Sequence, residues 1–153
     1  MNNKEEQINI VTNLGKYEQL LSQLYSIFSN LFPEYSSFWH DLSVEENTHA
    51  LILATLKSMI GDGSFSFENR HFKVPDILSN VDYIKRYIES VHESHIEIKD
   101  ALKFSLEIES SPLEDDVFKV YDSDPEEVKK FLKTLYEDTV RHRNKIKEKY
   151  LSL

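Results

Sequence analysis

The chain has 153 residues, a formal net charge of −9 and no cysteine. That length suits one domain around a single core, and the missing thiols exclude disulfides, thiolate zinc sites, cysteine-ligated iron–sulfur clusters and a rubredoxin-type iron centre. The acidity removes any general attraction for nucleic acid or anionic lipid, and no basic block creates a local one.

Only 3 glycines and 4 prolines accompany 40% hydrophobic residues, a composition that fits helices joined by few loops. The opening MNNKEEQINI lacks the charged-then-apolar order of a signal peptide, and no run approaches the roughly 20 apolar residues of a membrane span. The expectation is a cytoplasmic, all-α chain.

The first predicted helix runs from about Thr12 to Phe32. Leu14, Glu18, Leu21, Tyr25, Phe28 and Phe32 follow a 4-3-4-3-4 spacing that lines one helix face, widened by Leu20, Leu24, Ile27 and Leu31. Pro33 interrupts it and suits the first turn of a new helix. The second predicted helix spans Pro33 to Ile60, with the stripe Trp39, Leu42, Glu46, His49, Leu53, Leu56 and Ile60. Gly61, Asp62 and Gly63 end it.

GDGSFSFENRHFKVP, from Gly61 to Pro75, has no helical period and reads as loop. Ile77, Val81, Ile84, Ile88 and Val91 restore the period and predict a short helix within this crossover. The third long helix is expected from about His95 to Val120, on the stripe Ile98, Leu102, Leu106, Glu109, Leu113 and Val117, bent near Glu109 by Pro112. The fourth opens with Asp124 as cap, Pro125 at the first helical position and Glu126 and Glu127 in the first turn. Its stripe is Val128, Leu132, Leu135, Thr139, His142 and Ile146. Short links favour antiparallel neighbours, so the pattern predicts a four-helix bundle of two hairpins joined by a long crossover.

Each stripe carries a polar interruption: Glu18, then Glu46 with His49, then Glu109, then Thr139 with His142. A buried carboxylate must be protonated, paired or bound to a cation, and several converging at one core level would repel as anions. Divalent metal ions neutralise such a set. Other readings stand beside this one. Ser43 and Glu46 match a capping box, Glu18 alone reads as a surface acid, and Glu107 or Glu114 could replace Glu109 as the inward acid. His92 and His95 read as solvated.

The stretches Glu18 to Tyr25 (EQLLSQLY), FPEYSSFW and EENTHA resemble the first helix pair of the ferritin-like superfamily, nearest the rubrerythrin-like branch that lacks a rubredoxin domain. ALKFSLEIE, ending on Glu109, is similar to that branch's third helix, and His142 stands where a second Glu-x-x-His is expected. The resemblance implies a non-haem iron site holding two ions when intact, and one or none when degraded. Glu18 and Glu109 would be terminal ligands, Glu46 a bridge, and His49 and His142 the imidazole ligands. Tyr25 would be either a donor beside the metals or a core aromatic.

Two positions depart from the family. The second bridging Glu is Thr139, with Asp138 as the nearest carboxylate, and a further Glu is Pro112. The implied activity is oxidation of Fe(II) by peroxide or dioxygen, or reduction of peroxide. Electrons would come from an external donor protein. A non-catalytic bundle serving as an interaction or scaffold protein is the alternative. Phe38, Phe65, Phe67 and Phe72 are expected to cover a homodimer interface or a bundle end.

Overall fold

A computed structural model describes residues 3–66, 74–111, 118–119 and 124–153. These residues form α-helices and one 3-10 turn, with no strand among them. The helices are α1 (Asn3–Leu31), α2 (Ser36–Asp62), α3 (Val74–Glu93), α4 (Ile98–Glu109) and α5 (Glu126–Leu151), and the 3-10 turn is Pro33–Tyr35. The chain divides into two compact units, Met1–Glu89 and Ser90–Leu153.

In the first unit α1 starts at Asn3, well before the expected Thr12. Its buried face continues backward through Leu14, Val11, Ile10 and Gln7, and a polar residue at that last turn hid the period. The Gln7 amide donates to Ser66 Oγ at 3.2 Å, which holds the first residues after α2 against the start of α1. Pro33 opens the 3-10 turn rather than α2 itself. Its missing N–H costs nothing there.

α1 and α2 run antiparallel, and two reciprocal serine contacts fix their register. Ser22 Oγ donates to the Ser43 carbonyl at 2.8 Å while Ser43 Oγ donates to the Ser22 carbonyl at 2.7 Å. Two turns further along α1 and two turns back along α2, Ser29 Oγ donates to the Ser36 carbonyl at 3.0 Å. Such small side chains let the helix backbones approach closely. Between them lies an aromatic cluster. Trp39 packs on Phe28 at 4.8 Å, Tyr25 at 5.6 Å and Phe38 at 5.0 Å between ring centroids. Tyr25, Phe28 and Trp39 are fully buried. Each buried aromatic contributes about 1.5–3 kcal/mol of apolar transfer energy.

α2 ends as its glycines predict. Gly63 has φ 87°, a left-handed conformation in which L side chains are strained, and its N–H donates to the Ile60 carbonyl at 3.2 Å. The Ser64 N–H returns to the Met59 carbonyl at 2.8 Å and also to Asp62 Oδ1 at 2.9 Å.

The crossover helix is longer than a short insert. α3 spans 20 residues and begins at Val74, with Pro75 in its first turn, where an N–H has no helical partner in any case. Ile77, Val81, Ile84, Ile88 and Val91 are buried, as their period predicts. In the first unit Tyr87 meets Phe28 edge-on at 6.4 Å. Phe65 is also buried, so it needs no partner chain for cover. Phe67, Phe72 and His71 lie outside the described residues.

In the second unit α4 packs against α5. α4 begins at Ile98, where the Asp100 carboxylate accepts from the Glu97 N–H at 2.9 Å, half of a capping box. It ends at Glu109, where the Ser110 N–H closes the last turn on the Leu106 carbonyl at 3.0 Å; the bend expected from Pro112 depends on residues outside those described. Pro112, Leu113, Glu114 and Val117 lie outside the described residues. The buried face of α4 is Ala101, Leu102, Phe104, Ser105, Ile108 and Glu109, with Leu106 half-buried rather than central. α5 begins one residue later than its opening signal suggests. Pro125 is the cap, extended at φ −57° and ψ 147°, and its carbonyl accepts the Lys129 N–H at 2.9 Å. All six stripe residues of α5 are buried.

Candidate metal centre

Five candidate ligands were expected on buried helix faces, and each of them is buried. Glu18, Glu46 and His49 are each 1% exposed, Glu109 is 2% exposed and His142 is fully buried. Local sequence explains this. Each occupies a slot in a 3-4 ladder whose other slots are Leu, Ile, Val or an aromatic, and the ladder follows the residue inward. A surface position for Glu18 or Glu109 would have removed the metal reading.

In the first unit the antiparallel register of α1 and α2 brings Glu18 to the level of Glu46 and His49. One oxygen from each carboxylate and one imidazole nitrogen all lie within 4.8 Å of one another. Glu46 Oε2 stands 3.2 Å from His49 Nδ1, one helical turn along α2. The capping alternative for Glu46 fails, because α2 begins at Ser36 and Glu46 is deep in its interior. Ser43, the would-be cap, spends its hydroxyl on the Ser22 carbonyl.

The second unit holds Glu109 on α4 and His142 on α5, with Glu109 Oε1 3.6 Å from His142 Nδ1. Glu107, the rival inward acid, is exposed. Thr139 is buried three residues before His142, and its hydroxyl donates to the Leu135 carbonyl at 2.9 Å, back along its own helix. Asp138 does not replace it. That carboxylate is half-buried and faces Arg141, whose Nη2 donates to it at 3.0 Å. Ser105, one turn before Glu109, is likewise buried and donates to the Ala101 carbonyl at 2.8 Å.

A buried carboxylate has to be protonated, hydrogen-bonded, paired or bound to a cation. An uncompensated buried charge costs several kcal/mol. Carboxylate oxygen and imidazole nitrogen are the donor types that iron, manganese and zinc accept. Donors on one ion at about 2.1 Å must lie about 3–4 Å apart. The Glu46–His49 separation of 3.2 Å falls in that range.

Tyr25, two turns beyond Glu18, belongs to the aromatic cluster through its ring contact with Trp39. The indole nitrogen of Trp39 is buried and makes no hydrogen bond among the described residues. His92 and His95 are both exposed, and His95 Nε2 sits 3.1 Å from Glu97 Oε1 in solvent, which is the solvated reading. The serine register contacts were not singled out from sequence, although Ser22 and Ser29, like Ser36 and Ser43, repeat at seven residues.

No helix among the described residues is long and apolar enough to cross a membrane. No protein-family model, curated protein or solved structure matches this chain.

Proposed function

We propose that the chain is a ferritin-like, rubrerythrin-type four-helix protein that binds non-haem iron through Glu18, Glu46, His49, Glu109 and His142. The observation carrying this reading is the meeting of two buried carboxylates and a buried imidazole within 4.8 Å in the first unit. Iron, when bound, supplies the redox chemistry, either oxidation of Fe(II) by peroxide or dioxygen or reduction of peroxide. The residues of the chain do the rest. Glu18 and Glu46 offer charge and oxygen donors, His49 a nitrogen donor, and the leucines and aromatics on the same faces keep bulk water away. The chain has no cysteine to hold an electron-transfer cluster, so reducing equivalents come from a separate donor protein. A homodimer belongs to the same reading. Sedimentation at micromolar concentrations tests it, and a monomer throughout removes it.

Elemental analysis of untagged protein purified aerobically, followed by iron titration, is the direct test. The expected result is bound iron in the purified protein and saturable uptake by the apoprotein. A folded chain that retains no metal and takes up none refutes the proposal. The second reading, a non-catalytic helical bundle with a degenerate site acting as an interaction protein, draws support from Thr139. Its hydroxyl is committed to Leu135 where the resemblance calls for a carboxylate. That same metal-free outcome would favour it.

A further inference from the structure

We propose that the outward face of α2, centred on Leu51, is the surface on which a second copy of this chain docks, the two helices lying antiparallel about a two-fold axis. The inference rests on the homodimer named above, not on the metal, and assigns that dimer its surface. Val44, Thr48, Leu51, Thr55 and Ser58 follow a 4-3-4-3 spacing, which sets them in one row along α2. The buried row of Leu42, Glu46, His49, Leu53 and Leu56 lies on the opposite side of the helix. Val44 is 51% exposed and Leu51 is 63% exposed.

Charge and hydroxyl geometry distinguish this row. The exposed residues from Val44 to Thr55 are Val44, Asn47, Thr48, Leu51, Ala54 and Thr55, and none is charged. By contrast α3 exposes Asp82, Lys85 and Arg86, and α5 exposes Lys133, Glu137 and Arg141. The hydroxyls of the row are turned back to their own helix. Thr48 Oγ1 donates to the Val44 carbonyl at 3.2 Å, Thr55 Oγ1 to the Leu51 carbonyl at 3.2 Å and Ser58 Oγ to the Ala54 carbonyl at 3.3 Å. Their protons are satisfied without water, so covering the row strands no hydroxyl donor.

The occupant follows from charge and pattern. Each copy carries a net charge of −9, so two copies meet at least cost where neither presents a charge. A charged partner would lose water on this row without gaining a counter-charge. An antiparallel copy fits, because the row is close to symmetric about Leu51, with a threonine three residues before it and another four residues after. A two-fold axis beside Leu51 therefore sets leucine near leucine and threonine near threonine, along the alternating spacing of three and four that lets two helices interlock.

The test is sedimentation of the full-length protein at micromolar concentrations, with circular dichroism to establish that each variant is folded. Wild type is expected to dimerise. Leu51→Asp and Leu51→Lys, each alone, should weaken dimerisation by about 100-fold or more, because each copy would bury a charge against its like. Mixed in equal amounts, the two variants should associate within about tenfold of wild type, a recovery that misfolded chains do not give. Leu78→Asp, at an exposed leucine of α3, should stay within about threefold of wild type. A dimer that Leu51→Asp leaves intact overturns the surface while leaving the homodimer in place. A loss on Leu78→Asp equal to that on Leu51→Asp, or no recovery in the mixture, does the same. A wild type that stays monomeric overturns the surface and the homodimer together and leaves the iron reading untouched.

Discussion

Thr139→Glu tests the donor argument at its weakest point. The threonine is 2% exposed and gives its hydroxyl proton to the Leu135 carbonyl at 2.9 Å. Replacing it loses that hydrogen bond, worth about 1 kcal/mol, and buries a carboxylate at a cost of about 3 kcal/mol or more. For a chain of this size each kcal/mol moves the melting temperature by about 2–4 °C, so a loss of about 4 kcal/mol lowers the apoprotein's midpoint by about 8–16 °C. With Glu at 139, the second unit would carry carboxylates at 109 and 139 and the imidazole of His142, the donor set the first unit has already. Metal at about 100 times its dissociation constant then returns about 2.7 kcal/mol. The assay is calorimetric melting of wild type, Thr139→Glu and the uncharged control Thr139→Gln, each with chelator and with excess Co(II). Thr139→Glu should be the least stable with chelator, show the largest recovery with metal, and bind more metal per chain at saturation than wild type. Thr139→Gln should share the packing cost without the recovery. If Thr139→Glu and Thr139→Gln melt together under both conditions and bind no more metal than wild type, missing charge at this position is not what limits metal binding.

Gly15→Ala should stabilise the protein. Gly15 is interior to α1 and a Cβ there meets nothing within 4 Å, so the gain is about 0.5–1 kcal/mol, read as a rise of about 1–4 °C in melting temperature. Gly63→Ala should do the opposite, since the left-handed φ of 87° strains any side chain, and a melt no lower than wild type would contradict the cap described above. Ser22→Ala and Ser43→Ala should couple, because each hydroxyl donates to the other residue's carbonyl. A double-mutant cycle should give a coupling of about 0.5–1.5 kcal/mol, and strict additivity would dissolve the clamp. The Ser64 hydroxyl and then the Ser64 N–H hold the Asp62 carboxyl below the usual carboxylate range, so its support for the end of α2 is complete above the ordinary carboxylate pKa and fades as pH falls through the depressed one. Carboxyl carbon chemical shifts during an acid titration should show this, and Ser64→Ala should bring the Asp62 midpoint up.

Much of the molecule is legible in one dimension because helix burial is a local property. A residue three or four positions from two leucines goes where they go. Glu18 between Leu14 and Leu21, Glu46 and His49 between Leu42 and Leu53, and Thr139 and His142 between Leu135 and Ile146 are all buried for that reason alone. The end of α2 was equally readable, since Gly63 is the residue that tolerates the reversed turn there. Ends governed by neighbours in space were not. Gln7 carries α1 two turns earlier than expected because Ser66 accepts its amide, a contact 59 residues away in the chain. α4 closes at Glu109, where the Ser110 N–H returns to the Leu106 carbonyl, a stop that the apolar period did not mark.

The donor set divides in the same way. Spacing along α2 is sufficient to place Glu46 beside His49, because both lie on one rigid element a turn apart. Nothing local brings Glu18 to them. That depends on the offset between two helices, set by serines small enough to let the backbones meet and to exchange hydrogen bonds at one register only. Likewise, sequence shows Thr139 at a ligand's position, but only the folded chain decides that its hydroxyl turns back to Leu135 and that Asp138 turns out to Arg141. Periodicity determines which side chains go inside. Which of their atoms meet is decided by distances between separate helices, and those arise only when the faces pack.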